Sequence, residues 1–97
     1  MDDLEKIKKI LQDHKKELYE KYKIKKIGIF GSFVRGENNR KSDIDILVEF
    51  EEVPGLIKFI EIEDYLSKLL GRKVDLVRKK AIRKELKKEI LKQVADV

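Results

Sequence analysis

Asp43 and Asp45 flank a single apolar residue within an otherwise apolar run, DIDILVEF (43–50). In an extended chain, residues two apart project to one face, so both carboxylates point the same way, about 7 Å apart along the backbone. Ile44, Ile46 and Val48 then point the opposite way, into a core. Aspartate is a poor strand former, and two like charges on one face repel. A divalent cation offsets that cost directly, because carboxylate oxygens are the natural ligands of Mg²⁺. Taken alone, the pair is a weak signal and is better explained as the exposed face of an edge strand. A third acid, Asp75, interrupts a second apolar run, KVDLV (73–77). If that run is a strand beside the first, three carboxylates can hold two metal ions roughly 3.5–4 Å apart, the spacing of phosphoryl-transfer sites. The competing role for Asp75 is an ion pair with Lys73 or Arg72.

Gly31 and Ser32 supply a complementary part. A glycine at a strand end lets the backbone approach a ligand, and a following helical turn directs free N–H groups towards an anion. Ser32 adds a hydroxyl, Arg35 a fork of donors suited to phosphate, and Lys41 further positive charge. By itself a Gly-Ser pair is equally an ordinary strand-to-helix turn. For this turn and the acids to share one edge, the strands carrying them must run antiparallel.

The elements that must position these residues can be read from periodicity. Leu4, Ile7, Leu11, Leu18 and Tyr22 recur at helical spacing, which predicts an amphipathic helix over 3–22 capped by Asp2 or Asp3. KKIGIFG (25–31) reads as a strand, 32–42 as a turn with one helical turn at 32–35, and 43–50 as a second strand. Pro54 suits the first turn of a helix that ends at Gly71, with Leu56, Phe59, Ile60, Leu66, Leu69 and Leu70 as its apolar stripe. A third strand at 73–77 and a helix over 81–94 (Ile82, Leu86, Ile90, Val94) complete the order. The expected fold class is α+β in two layers: a small mixed sheet of at least three strands with helices packed on it.

The composition narrows the function classes. The 97 residues suffice for a single domain over 1–97 and exclude a barrel or a full dinucleotide-binding fold. There is no cysteine, so disulfides and thiolate zinc are excluded, and the lone His14 excludes a His-rich metal site. No apolar run approaches the roughly 20 residues of a membrane span, and the charged N-terminus is unlike a secretion signal, so a cytoplasmic protein is expected. Abundant Lys, Glu and Ile with scarce Asn and Gln fit a thermophilic source; an AT-rich genome gives the same bias. From Arg78 to Lys92 eight basic residues face only Glu85 and Glu89. Neighbours such as Glu85–Lys84 and Glu89–Lys92 make a solvated face, and a protein partner is favoured over nucleic acid because no aromatic residue interleaves the basics.

Taken together, GSFVRGENNRKSDIDILVEF resembles the signature of the DNA polymerase beta-like nucleotidyltransferases. The pattern GSxxRG…SDIDILV, with the third acid in KVDLV, resembles the minimal nucleotidyltransferase (MNT) group over roughly residues 24 to 80. The frequent alanine before the arginine of that motif is Val34 here. The resemblance implies the polymerase beta-like fold, with Asp43, Asp45 and Asp75 as catalytic metal-binding acids and two Mg²⁺ ions as cofactor. It implies a nucleotide-binding set of Gly31, Ser32, Arg35, Lys41 and Ser42, with ATP or another NTP as donor. Single-domain members resemble the antitoxin half of HEPN/MNT toxin–antitoxin pairs. The implied activity is therefore transfer of AMP to a hydroxyl, a tyrosine, of a partner HEPN toxin, in a homo- or hetero-oligomer. Two other readings stay open: a steric antitoxin with an idle site, and nucleotidyl transfer to a small molecule. Tyr19, Tyr22 and Tyr65 are internal tyrosines best explained by helix-face packing.

Overall fold

The computed structural model describes residues 2–97. Helices α1 (Asp3–Asp13) and α2 (Lys15–Tyr22) lead into strand β1 (Ile24–Phe30), the short helix α3 (Ser32–Arg35) and strand β2 (Ile44–Phe50). Helix α4 (Leu56–Leu70), strand β3 (Val74–Arg78), a 3-10 turn at Lys79–Ala81, helix α5 (Lys84–Gln93) and the two-residue strand β4 (Ala95–Asp96) follow. The sheet has the order β3-β2-β1-β4. β1 runs antiparallel to β2 and β4, and β2 runs parallel to β3, so the sheet is mixed as expected, with one strand more than the pattern required.

Alternation along the strands decides which face is covered. Ile27 and Ile29 of β1, Ile44, Ile46 and Val48 of β2, and Val74 and Leu76 of β3 join Ile7, Leu11, Leu18, Ile62 and Leu66 in one core cluster. The opposite, more open face carries Lys26, Gly28 and Phe30, then Asp45, Leu47 and Glu49, then Asp75 and Val77.

Four helical expectations need correction. The segment 3–22 is two helices, because the His14 N–H is shared between the Ile10 and Leu11 carbonyls (both 3.2 Å). The His14 Nδ1 also lies 2.8 Å from the Ile10 carbonyl, which closes α1; Asp2 caps its start as predicted. Pro54 lies ahead of the helix rather than in its first turn: Gly55 is the N-cap and Leu56 the first helical residue. In α4 the buried residues are Ile62 and Leu66, while Leu56 (76%) and Ile60 (55%) are exposed. Packing starts at Phe59, whose ring meets Phe50 at 6.4 Å between centroids. The helix predicted over 81–94 spans Lys84–Gln93, and none of its residues is fully buried.

Candidate active site

Strand register brings two of the three acids together. Asp45 is the Cα partner of Phe30 on β1 and of Asp75 on β3. Residues in register share a face, so Asp45 and Asp75 stand side by side on the open face, on strands about 4.8 Å apart. Asp43 lies one residue ahead of β2, in the turn secured where the Ile44 N–H donates to the Lys73 carbonyl (2.9 Å). Burial raises the Asp45 carboxyl above its ordinary value; the charges of Asp75 and Asp43 raise it further, and Arg35 opposes them. Asp75 is exposed and forms no ion pair among the described residues, so pairing with Lys73 or Arg72 is not what holds it. Lys73 instead faces Asp43 at 3.8 Å.

Gly31 sits against Asp45. Its φ of 80° and ψ of −149° lie where side chains are strained, and a Cβ there would fall within the Asp45 carboxylate. The glycine thus lets β1 end in contact with Asp45 before α3 begins at Ser32. The Val34 and Arg35 N–H groups return to the Gly31 carbonyl (3.1 and 3.2 Å), fixing that turn. Arg35 is exposed; it pairs with Glu37 (2.9 Å) and donates to the Gln93 side chain (3.1 Å), so α5 reaches the edge of the site. The Asn39 N–H donates to the Ser42 hydroxyl (2.9 Å) and the Lys41 N–H to the Asn39 side chain (2.8 Å). The exposed Lys41 and half-buried Ser42 therefore belong to a folded turn leading into Asp43.

Three residues that the sequence reading left without a site role hold this arrangement. Arg72 donates to the Asn39 carbonyl (2.9 Å) and the Ser42 carbonyl (3.2 Å), and its guanidinium lies 5.1 Å from the centre of the Phe33 ring. One side chain thereby ties the loop before Asp43 to the helix after Gly31. On the outer edge of β3, Ser67 accepts from the Val74 N–H and Glu63 from the Leu76 N–H, both at 2.9 Å. These bonds flank Asp75 and fix its strand from outside. The available signal was Glu63 and Ser67 at i,i+4 spacing beside the apolar stripe of α4.

The set fits a hard divalent cation: carboxylate oxygens only, with like charges that burial and mutual repulsion leave unfavourable in isolation. Among the described residues, no three acids are drawn tightly enough together to form a finished metal cage. Asp43 would have to leave Lys73 to complete one.

The tyrosines are engaged elsewhere. Tyr65 donates to Glu17 (2.9 Å) and Tyr19 to Glu51 (2.5 Å). Hydrogen bonding to Glu51 raises Tyr19 above the ordinary tyrosine value, and burial followed by Glu17 does so for Tyr65. On α5, Glu89 pairs with Lys92 (3.9 Å), whereas Glu85 pairs with Arg83 (3.3 Å) instead of the expected Lys84. No helix among the described residues is long and apolar enough to cross a membrane.

Comparison with known proteins identifies the family to which the chain is similar. A family model described as a nucleotidyltransferase domain matches residues 4–96. The protein adenylyltransferase MntA of Thermococcus cleftensis is 53% identical over 94 residues, covering 97% of this chain and 95% of that protein. A crystal structure of a toxin-antitoxin with AMP-PNP superposes with a TM-score of 0.71 at 29% identity, over 99% of this chain and 72% of the other. The structure of a tri-AMPylated Shewanella oneidensis HEPN toxin in complex with MNT antitoxin gives a TM-score of 0.62 at 26% identity, over 97% and 67%.

Proposed function

The chain belongs to the nucleotidyltransferase domain family, and on that premise we propose that it is a protein adenylyltransferase that transfers AMP from ATP to a tyrosine hydroxyl of a HEPN-type toxin, acting as its antitoxin. The observation that carries the reading is the in-register Asp45–Asp75 pair beside the Gly31–Ser32 turn, with Asp43 one residue ahead of the strand. Asp43, Asp45 and Asp75 would hold Mg²⁺, two ions in the full complement. Bound there, Mg²⁺ supplies Lewis-acid stabilisation of phosphate charge and lowers the pKa of the acceptor hydroxyl. Ser32 and the backbone N–H groups at the start of α3 receive the triphosphate tail, with Arg35, Lys41 and Ser42 at its edge. Arg35 must exchange Glu37 for phosphate to do so. In the transfer, the acceptor oxygen bonds to the α-phosphorus as its bond to the bridging oxygen breaks. Pyrophosphate leaves with the electron pair, and the phenolic proton passes to Asp75, the exposed carboxylate with no ion pair among the described residues.

The test is incubation with α-labelled ATP, Mg²⁺ and a HEPN-type toxin, next to an Asp43→Asn, Asp45→Asn variant. Label on a tyrosine of the partner, lost in the variant, is the expected result. Neutralisation of the partner without label would refute transfer and leave the steric reading.

A further inference from the structure

The open sheet face continues past the acids into a groove that the reading above does not use. Its volume is about 490 Å³. Gly28, Leu47, Leu91 and Val94 contribute apolar lining, and Lys25 and Lys26 line it beside them. Leu47 is buried yet stands outside the core cluster, because it faces this side of the sheet. A Cβ at Gly28 would meet Val94 Cγ1 at 2.5 Å, so the glycine leaves room for the Val94 side chain where the segment after α5 crosses the sheet.

The charge of the groove is uneven. Four lysines line it against two acids, Glu49 and Asp96. Lys79 is paired with Glu49 (3.7 Å), and Lys15 donates to the Val97 carbonyl (2.9 Å). Lys25 and Lys26 are exposed and form no ion pair among the described residues. Among the described residues no aromatic ring lines the groove, so they offer no platform on which a nucleobase could stack.

Position gives the groove a role. Leu47 and Glu49 lie two and four residues beyond Asp45 along β2, about 7 and 13 Å away. Gly31 and Ser32 lie at the other end, next to Phe30, the register partner of Asp45. The acids therefore separate the phosphate turn from the groove. In-line displacement needs the entering oxygen opposite the leaving pyrophosphate, which places the acceptor on the groove side.

We propose that this groove is the acceptor subsite, and that it takes an extended polypeptide segment with acidic side chains next to the hydroxyl to be modified. The proposal rests on the adenylyltransferase reading and adds to it the chemistry of the acceptor. Carboxylates of the segment meet Lys25 and Lys26, its apolar side chains cover the exposed Leu91, and its hydroxyl reaches the acids at the groove's end.

The test uses the isotopically labelled full chain and two synthetic peptides, a tyrosine flanked by glutamates and a tyrosine flanked by lysines. The glutamate peptide should shift the amide resonances of Lys26, Gly28, Leu47 and Val94, and the lysine peptide should not. In a Lys25→Glu, Lys26→Glu variant the glutamate peptide should bind at least tenfold more weakly, with ATP affinity by calorimetry unchanged, which also shows that the variant is folded. Shifts elsewhere, equal response to both peptides, or unchanged affinity in the variant would overturn the proposal. Peptide binding as described with no AMP transfer to any acceptor would leave the groove standing and remove the adenylyltransferase reading. Transfer to a partner with an acceptor KM indifferent to the lysine substitutions would do the reverse.

Discussion

Replacing Gly31 by alanine tests the contact on which the geometry of the acids depends. Two costs combine at this residue. Its φ of 80° with ψ of −149° belongs to a region populated almost only by glycine, and forcing a side chain into such a region costs about 1–3 kcal/mol. The new Cβ also falls within the Asp45 carboxylate, so that side chain must leave its rotamer, at about 1 kcal/mol more. The total is roughly 2–4 kcal/mol, and in a domain of this size each kcal/mol lowers Tm by about 4–8 °C. Gly36 is the internal control. Its φ of 71° and ψ of 22° are left-handed too, but a Cβ there meets nothing within 4 Å. Gly36→Ala should cost only the left-handed strain, about 1–2 kcal/mol. Thermal unfolding followed by circular dichroism measures both. The decisive comparison is a double-mutant cycle: in an Asp45→Ala background the penalty of Gly31→Ala should shrink by about 1 kcal/mol, because the carboxylate is gone. Equal penalties in the two backgrounds, together with Gly31→Ala no worse than Gly36→Ala, would refute the contact and the close approach inferred from it.

Other substitutions probe the rest of the site. Asp45 has a folded-state pKa raised above its unfolded value, so its contribution to stability is fully present below the unfolded pKa and is lost as pH rises through the folded one. Asp45→Asn should therefore melt higher than the parent chain at pH 7 in chelator, with the gap closing towards pH 4, and Mg²⁺ should raise Tm in the parent only. Ser67→Ala leaves the Val74 N–H without its acceptor, at about 1–3 kcal/mol, and should speed amide exchange at Val74 more than at Ile29 in the centre of the sheet. Arg72→Met frees the Asn39–Ser42 turn; protease cutting of that turn should accelerate, and KM for ATP should rise severalfold with kcat less affected.

The site was legible where one period governs both chemistry and packing. The alternation of Asp43 and Asp45 with Ile44, Ile46 and Val48 separates an acid face from a core face before any coordinate is known. Register is a different matter: nothing local states that Asp75 pairs with Asp45 rather than Asp43, because that follows from the length of α4 and where Gly71 ends it. The break at His14 was hidden because Leu11 and Leu18 keep helical phase across it. The exposure of Leu56 and Ile60 was hidden for the opposite reason, since their spacing continues the stripe but the packing does not begin until Phe59. Arg72 was silent because its partners are backbone carbonyls, which carry no residue-type signal.

Setting two carboxylates side by side on adjacent strands is a poor way to stabilise a sheet. A cross-strand pair of like charges is destabilising, and here the partly buried member is pushed towards its neutral form. The surroundings do little to relieve it: Lys73 is turned to Asp43, and Arg35 is shared between Glu37 and Gln93. Yet the outer edge of β3 is fastened on both sides of Asp75, and Gly31 is held in a strained conformation against Asp45. A strand under repulsion could escape by slipping one residue, which would turn Asp75 to the opposite face. The bonds from Ser67 and Glu63 oppose that slip. The chain thus spends fastening on an arrangement that is unfavourable by itself, which makes physical sense if cations arrive to neutralise it. If Mg²⁺ failed to stabilise the parent chain at neutral pH, the repulsion would have no compensating ligand and this account of the acids would fall.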